Sequence, residues 1–426
     1  MITRHLSKKI VSALGRSPSV LLEGARQTGK TTLVQHLSPA FSKSTYISLD
    51  EPLAATLMAQ DPVSALSDLP GLIILDEIQL APELFKSLKV VIDRARTPGR
   101  FLLTGSANVL LLPKLSESLA GRMEVYTLYP LSQGEIEGSH ESFIELAFGA
   151  KQAFQEQMSS TKESSQLSRP ELIHRALAGG YPEPVIRKDK TNIDEWFTSY
   201  VKTLIFRDIK DLSHIEGLTS LPRLLQLLAH RVGNLINYAD ISRSLPINQV
   251  TLKRYVTLFE KLYLTSSLQP WSTNKGQRLI KTAKLYFLDT GILGHVMRLS
   301  AEHLLLDFQL SGTILENFVY CELVKQLSLS STSPELFHYR TAAGSEVDFV
   351  LEGPTRKIVG IEVKAGEQIG KHDLKGLLNL KEDAGKRFQR GFVLYGGKKF
   401  MPLGNELYLA PISCLWQTRP NPKALE

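Results

Sequence analysis

Residues 24–31 have the residue types and spacing of a phosphate-binding loop. They read Gly-Ala-Arg-Gln-Thr-Gly-Lys-Thr, and the glycines allow a tight turn whose N–H groups point at phosphate oxygens. Lys30 is expected to hold the β- and γ-phosphates of a nucleotide, and Thr31 to offer a hydroxyl to Mg²⁺. The residues predicted to contact the nucleotide are Gly24, Ala25, Arg26, Gln27, Thr28, Gly29, Lys30, Thr31 and Thr32.

The segments on either side of this loop have the patterns that the motif requires. Residues 20–23 read as a short buried strand, and residues 32–37 carry apolar side chains at helical spacing. A helix that begins near Lys30 would add the positive end of its dipole to the phosphate site. The strand, loop and helix together predict a parallel α/β sheet that binds a nucleoside triphosphate.

A second apolar segment, residues 71–75, ends in the acidic pair Asp76 and Glu77. Such a run is typical of a parallel strand buried on both faces, and ligands bind at the carboxyl ends of these strands. Asp76 is therefore predicted to hold Mg²⁺, as a Walker B aspartate does, and Glu77 to act as general base on the attacking water.

Two further positions are candidates for the same site. A third strand over residues 100–104 leads into polar residues that resemble the sensor 1 position of AAA+ ATPases, with Ser106 the first choice and Asn108 the second. Arg122 precedes a fourth apolar segment. It is either an arginine that senses the γ-phosphate, within its own chain or across a subunit boundary, or a surface arginine.

Composition limits the class of protein. The chain has 426 residues, which predicts several domains, and its two cysteines, Cys321 and Cys414, are too few for a disulfide framework. No apolar run approaches the roughly 18 residues of a membrane helix. The start of the chain lacks the apolar core of a signal peptide. We expect a cytoplasmic protein without a membrane partner.

The basic residues are concentrated in one part of the chain. Residues 201–300 contain 14 Lys and Arg against 6 Asp and Glu, whereas the net charge of the whole chain is +7. Within this part, residues 234–264 have the pattern of a helix-turn-helix, and a turn at 273–277 resembles the wing of a winged-helix domain. The second helix is predicted to bury one stripe and to let Gln249, Lys253 and Arg254 face outward; the buried stripe is Leu252, Val256, Phe259 and Leu262. The region is predicted to contact DNA, to dock a protein, or to present only a solvated basic face.

The last third of the chain carries a second set of candidate chemical residues. Asp348 lies in one predicted strand, Glu362 and Lys364 share a face of the next, and Glu316 is expected near the start of a helix. Carboxylates can hold Mg²⁺, and a nearby lysine can stabilise an attacking hydroxide or a phosphate. This order resembles the PD-(D/E)xK nucleases, a fold that also serves as a binding scaffold.

Taken together, the motifs resemble those of prokaryotic AAA+-type ATPases with a C-terminal DUF4143 region. The match rests on the loop at 24–31, on residues 75–79, 103–106 and 118–122, and on the later segments Gly179-Gly180-Tyr181-Pro182, Phe206-Arg207-Asp208, 315–319, 346–349 and 362–364. The resemblance implies ATP and Mg²⁺ as cofactors. It leaves open whether Arg207 belongs to the nucleotide site.

The resemblance also implies an α/β fold built from several parts. We predict a P-loop AAA+-type sheet over residues 1–150, a linker and helical lid over 151–195, a helical and winged-helix domain over 196–300, and a restriction-endonuclease-like α/β domain over 301–426. DUF4143 is expected to cover about residues 200–365. The serine-rich stretch 158–170 is predicted to be a flexible linker or exposed loop.

Three functions fit these features. The first is an Mg²⁺-dependent ATPase whose nucleotide state controls a DNA-facing C-terminal region. The second is an ATP-gated, metal-dependent nuclease that uses Asp348, Glu362 and Lys364. The third is a nucleotide-switched regulator that binds a protein on its winged helix and oligomerises without binding nucleic acid.

Overall fold

The computed structural model describes residues 2–41, 43–106, 119, 121–160, 167–187, 192–209, 218–245, 247–273 and 282–417. The chain divides into two compact units. Unit 1 comprises residues 1–131 with 261–263, and unit 2 comprises residues 132–260 with 264–426. Among the described residues, no helix has both the length and the apolar character needed to cross a bilayer.

Unit 1 is built on a parallel sheet whose strands have the order β2-β3-β4-β1-β5. The strands are β1 Ser19–Glu23, β2 Ser44–Ser48, β3 Leu72–Asp76, β4 Phe101–Gly105 and β5 Met123–Thr127. The helices are α1 Leu6–Leu14, α2 Lys30–Leu37, α3 Pro52–Gln60, α4 Pro62–Asp68 and α5 Leu84–Arg94. The α/β fold and the strand-loop-helix predicted around the phosphate loop are confirmed.

The three inner strands of this sheet are buried along their whole length, because each is a nearly continuous run of apolar residues. One face packs in a core that includes Leu66 of α4 and Phe85 and Leu88 of α5. The register pairs Glu23 with Gly105 and with Thr127, so the strands reach the same edge of the sheet together. This alignment brings the residues that follow β1, β3 and β4 to one edge.

Unit 2 begins with a helical part and continues into a second sheet. The elements up to residue 329 are α6 Gln133–Glu137, α7 Phe143–Phe148, α8 Lys151–Ser160, α9 Arg169–Ala178, α10 Pro182–Ile186, α11 Ile193–Thr203, α12 Leu221–Ala229, α13 Tyr238–Ser244, α14 Gln249–Lys261, β6 Thr265–Leu268, β7 Lys284–Phe287, α15 Thr290–Val296, α16 Ala301–Leu306 and α17 Phe308–Leu329.

The second sheet is mixed, with the strand order β12-β13-β11-β10-β9-β8. Its elements are β8 Glu335–Arg340, β9 Glu346–Glu352, β10 Ile358–Lys364, α18 Lys375–Ala384, β11 Phe388–Tyr395, β12 Met401–Gly404, β13 Leu407–Pro411 and α19 Cys414–Gln417. Strands β9 and β10 pair as an antiparallel hairpin, which brings Asp348 beside the strand that carries Glu362 and Lys364. Leu377 and Leu380 of α18 pack against one face of this sheet.

The division between the units falls earlier than the boundary expected near residue 150. Aromatic side chains account for the difference, because α7 and α8 carry rings that pack on the second sheet. The centroids of Phe143 and Phe392 are 5.1 Å apart, and those of Phe154 and Tyr408 are 4.9 Å apart. Phe143 and Phe154 therefore place α7 and α8 against the core of unit 2.

The serine-rich stretch expected to be a linker is partly helical. α8 continues to Ser160, and α9 begins at Arg169. The backbone N–H of Ser168 donates to the Glu171 carboxylate over 2.7 Å, which caps the start of α9 and explains why the helix begins within the predicted loop. Residues 161–166 lie outside the described residues.

The glycine pair before Tyr181 has a structural role. Gly179 has a φ of +67°, and a Cβ there would lie 2.5 Å from Asp289 Oδ1. Asp289 caps α15 by accepting from Ile292 N over 3.0 Å, and its other oxygen accepts from Gly180 N over 2.7 Å. The motif therefore allows the chain to approach the start of α15 closely.

Candidate nucleotide-binding site

The phosphate loop joins the carboxyl end of β1 to the first residue of α2, as the sequence predicts. Gly24 has a φ of +150°, and a Cβ at this position would lie 2.3 Å from the Leu128 carbonyl oxygen. Gly29, at the start of α2, has a φ of +92°. Both positions therefore require glycine, one because of close backbone approach and one because of its left-handed conformation.

Lys30 is buried beneath this loop, with 4 % of its surface exposed. Its Nζ donates to the carbonyl oxygens of Gly24, over 3.0 Å, and of Ala25, over 2.8 Å. Burial lowers the pKa of Lys30 to about 8, and the nearby carboxylates of Glu77 and Asp76 oppose this shift. The side chain thus lies inside the loop that it is predicted to serve.

Asp76, at the end of β3, accepts three hydrogen bonds from hydroxyl groups. Thr31 Oγ1 donates over 2.8 Å and the Tyr46 hydroxyl over 2.7 Å, both to Oδ2, while Thr104 Oγ1 donates to Oδ1. The carboxylate and the Thr31 hydroxyl are hard oxygen donors of the kind that Mg²⁺ prefers. The donor set at this position therefore fits the metal that the motif predicts.

Glu77 is connected to Ser106 through Gln79. Gln79 Nε2 donates to Glu77 Oε2 and, over 2.9 Å, to Ser106 Oγ. Glu77 adopts a left-handed backbone conformation, with a φ of +57°, and its N–H donates to Thr104 Oγ1 over 3.0 Å. The fold thus brings together Glu77 and Ser106, which the sequence proposed separately. Asn108 lies outside the described residues.

Pattern reasoning missed the supporting residues Gln79 and Arg4. Arg4 is 8 % exposed, and its guanidinium donates to the carbonyl oxygens of Thr28, over 2.7 Å, and of Tyr129, over 2.6 Å. Gln79 belongs to the segment 75–79, on which the family resemblance partly rests. The sequence pattern marks this segment but assigns no role to Gln79. No local pattern marks Arg4, because its partners lie far along the chain.

Replacing Arg4 with Met should weaken ATP binding, because the phosphate loop would lose a charged donor that fixes the Thr28 carbonyl. Hydrogen bonds to charged groups contribute about 1.5–3 kcal/mol, so we expect the Kd to rise about tenfold or more. Isothermal titration with ATP measures the change. Arg16→Met is the matched control, since Arg16 is exposed and pairs with Glu124. Equal affinities in the two variants would contradict the role of Arg4.

Arg122 does not join this cluster. It directly precedes β5, and its carbonyl oxygen accepts from Ser19 at the start of β1, so it lies at the amino edge of the sheet. Strand β1 has four residue steps between Ser19 and Glu23, so its amino end lies about 13 Å from the end that leads into the phosphate loop. Its guanidinium pairs with Asp93, with a shortest distance of 2.6 Å. A role for Arg122 at the nucleotide of its own chain is therefore wrong, and a role across a subunit boundary stays a prediction.

Unit 2 brings the second predicted set of residues together in one cleft. The cleft has a volume of about 730 Å³, and its lining includes Glu316, Glu346, Asp348, Glu362, Lys364 and Asp373. We call it the acidic cleft. Glu316 lies in the middle of α17, not at the start of a helix as expected, because α17 already begins at Phe308.

The charges of the acidic cleft are paired with lysines. Lys364 Nζ lies 2.9 Å from Glu362 Oε1, and Lys284 Nζ lies 3.4 Å from Glu316 Oε1. Burial, with a further contribution from Asp348, raises the pKa of Glu316 to about 7 and that of Glu362 to about 8. Sequence reasoning missed Lys284, because it lies on β7, far from the motif.

The predicted helix-turn-helix has its helices at α13 and α14. The stripe predicted to be buried on the second helix, Leu252, Val256, Phe259 and Leu262, is buried. Gln249, Lys253 and Arg254 are exposed, as expected. Strands β6 and β7 pair in antiparallel fashion after α14. Pro246 and residues 274–277 of the predicted wing lie outside the described residues.

The parallel sheet, the phosphate loop after β1 and the Asp76-Glu77 pair after β3 define the N-terminal part of the chain as a P-loop ATPase domain of the AAA type. Family models agree with this class. An AAA domain matches residues 16–137, a domain of unknown function (DUF8612) matches residues 169–303, and a second one (DUF4143) matches residues 311–415. The DUF4143 match thus begins later and ends later than the expected span of about 200–365.

Two relatives match the chain over most of its length. An uncharacterized protein of Mycobacterium tuberculosis, Rv2008c, is 30 % identical over 410 residues, which cover 96 % of this chain and 83 % of the relative. An uncharacterized protein of Haemophilus influenzae is 22 % identical over 322 residues, which cover 73 % of this chain and 70 % of the relative. The chain belongs to this family of AAA-type P-loop ATPases with a C-terminal DUF4143 domain.

Among solved structures, the chain is similar to the Walker-type ATPase paby2304 of Pyrococcus abyssi. The sequences are 14 % identical, and the alignment covers 70 % of this chain and 96 % of that chain, with a TM-score of 0.42.

Proposed function

We propose that this protein is an Mg²⁺-dependent ATP hydrolase whose nucleotide state controls a DNA-facing unit 2. The observation that carries the catalytic part is the convergence of Lys30, Thr31, Asp76 and Glu77 at one edge of the unit 1 sheet. Thr31 and Asp76 are joined by a hydrogen bond of 2.8 Å, although 45 positions separate them in sequence.

In the proposed reaction, the loop N–H groups and the Lys30 ammonium bind and orient the phosphates of ATP. Thr31 and Asp76 would hold Mg²⁺, which neutralises charge on the phosphate oxygens when it is bound. Glu77 accepts a proton from the attacking water, and Gln79 and Ser106 position its carboxylate. This division of roles accounts for the burial of Lys30 and for the hydrogen bonds that fix Glu77.

The DNA-facing part of the proposal rests on charge and exposure. Helix α14 buries one stripe and exposes Gln249, Lys253, Arg254 and Thr257 on the other. Side chains of this kind on a second helix can contact phosphates and base edges in the major groove. The positive charge of residues 201–300 supports the same partner.

ATP hydrolysis measured with and without duplex and single-stranded DNA tests this proposal. We expect DNA to stimulate turnover and Lys253→Glu/Arg254→Glu to lose the stimulation, because reversing two charges repels the phosphate backbone. The matched control is Lys398→Glu/Lys399→Glu, which makes the same charge change at two exposed positions of the same unit. Hydrolysis that DNA leaves unchanged would contradict a DNA-facing role.

A second candidate is a nucleotide-switched regulator that docks a protein on α14. Val250 favours it, since this apolar side chain is 79 % exposed beside Lys253 and Arg254. In this alternative, ATP changes the oligomeric state without any affinity for nucleic acid, and Arg122 of one copy would reach the nucleotide of another. For both the DNA-facing ATPase and the protein-docking regulator, we propose a cytoplasmic location. The third, an ATP-gated nuclease, requires a metal ion in the acidic cleft.

A further inference from the structure

Three carboxylates of the acidic cleft converge on one ammonium group. Lys284 Nζ lies 3.4 Å from Glu316 Oε1, 3.6 Å from Asp348 Oδ1 and 3.7 Å from Glu346 Oε2. The Lys284 side chain is 3 % exposed, so this cation is held inside the protein and not at a solvated surface. Burial alone would lower its pKa, but the three carboxylates outweigh that effect and raise it.

The same three carboxylates have further protein partners. The Tyr286 hydroxyl donates to Glu316 Oε1 over 2.6 Å, and Val363 N donates to Asp348 Oδ2 over 2.9 Å. Glu346 Oε1 pairs with Arg340 over 2.7 Å. Each of the three carboxylates therefore has a second protein donor besides Lys284.

Glu362 lies on the same strand face as Lys364, which pairs with it. Lys364 Nζ also lies 3.6 Å from Asp373 Oδ1, so this second lysine bridges two carboxylates. Only one oxygen of Glu362, Oε2, is buried without a hydrogen bond among the described residues. A Mg²⁺ site requires several oxygens at about 2.0–2.1 Å in near-octahedral geometry.

The donor set therefore does not fit the metal that the nuclease resemblance implies. Among the described residues, no group of three or more His, Cys, Asp or Glu is arranged to hold a metal ion. A divalent ion between Glu316 and Asp348 would have to displace Lys284 or lie beside it, and a buried ammonium repels a second cation at short range.

We infer that the ammonium group of Lys284 is the resident cation of the acidic cleft, in place of the divalent metal ion that a metal-dependent nuclease of this fold would use. The cleft then keeps the acidic residues of the nuclease-like pattern around a counter-charge that the protein itself supplies. Unit 2 then keeps the nuclease-like fold as a binding scaffold, and no metal ion activates a water molecule in the cleft.

Mn²⁺ titration followed by electron paramagnetic resonance, which detects the free ion, tests this inference. All proteins carry Asp76→Asn and are free of nucleotide, so that the ATP site contributes little. The wild-type cleft should show no saturable binding. Lys284→Met should gain one saturable Mn²⁺ site, with an affinity about tenfold or more above any binding by the wild-type cleft. Adding Asp348→Asn should abolish this site. Lys357→Met, at an exposed lysine of the same unit, should gain none.

Saturable Mn²⁺ binding to the wild-type cleft that Asp348→Asn removes would overturn the inference. Metal-dependent DNA cleavage by the wild type that Asp348→Ala abolishes would overturn it too. A folded Lys284→Met that gains no site would show that Lys284 is not what keeps the metal out. Lys284→Gln serves if Lys284→Met fails to fold, and the wild-type titration decides the question if both fail.

Discussion

Replacing Glu77 with Gln should leave ATP binding intact and slow hydrolysis by about 10²- to 10⁴-fold, the usual contribution of a general base. The amide has the shape of the carboxylate but cannot take a proton from water. The position is well defined, because the Glu77 N–H donates to Thr104 and its carboxylate accepts from Gln79. Steady-state hydrolysis together with ATP titration separates the loss of turnover from the loss of binding.

Two comparison variants make this result specific. Glu83→Gln makes the same chemical change at an exposed position of unit 1 and should hydrolyse ATP at the wild-type rate. Gln79→Leu keeps the Glu77 carboxylate but removes the side chain that joins it to Ser106, so we expect a rate between those of wild type and Glu77→Gln. Unchanged turnover in Glu77→Gln would remove Glu77 from the role of base.

Replacing Lys30 with Ala should remove most of the ATP affinity. The ammonium lies within the loop, and a charged donor to a phosphate contributes about 1.5–3 kcal/mol, which corresponds to a loss of about 10- to 150-fold in affinity. The alanine cannot replace that charge. Fluorescence titration with a labelled ATP analogue measures the Kd directly, without depending on hydrolysis.

The control for Lys30→Ala must account for a structural effect. Lys30 also donates to the carbonyl oxygens of Gly24 and Ala25, so its loss could loosen the loop. Circular dichroism and thermal unfolding should show that the variant remains folded. Lys86→Ala removes an exposed lysine from α5 of the same unit and should bind ATP normally. Normal ATP affinity in Lys30→Ala would invalidate the assignment of this site.

Much of the nucleotide site was predictable because its signals are local. The glycines, Lys30 and Thr31 follow one buried strand directly, and Asp76 and Glu77 follow another, so the chain itself fixes the position of each pair at a strand end. Buried parallel strands also have a recognisable apolar run. The same reasoning explains why the buried stripe of α14 was correctly predicted from helical spacing.

Predictions were weaker where function depends on which edge or which partner a residue meets. Arg122 stands directly before a strand, and only the parallel register shows that this end lies opposite the phosphate loop. The boundary between the units likewise depends on aromatic contacts between α7, α8 and the second sheet. Such contacts join residues far apart in sequence, and no local pattern encodes them.

The sequence by itself determined the strand ends at which the candidate nucleotide-site residues lie and the order of the nuclease-like acidic residues, because residue type and spacing along single strands carry that information. Only the tertiary structure decided what surrounds those groups. It placed Gln79 between Glu77 and Ser106, Arg4 against the Thr28 carbonyl, and Lys284 among the carboxylates of the acidic cleft. The physical reason is that the charge balance of a buried group depends on neighbours brought close by strand pairing and helix packing, whatever their separation along the chain.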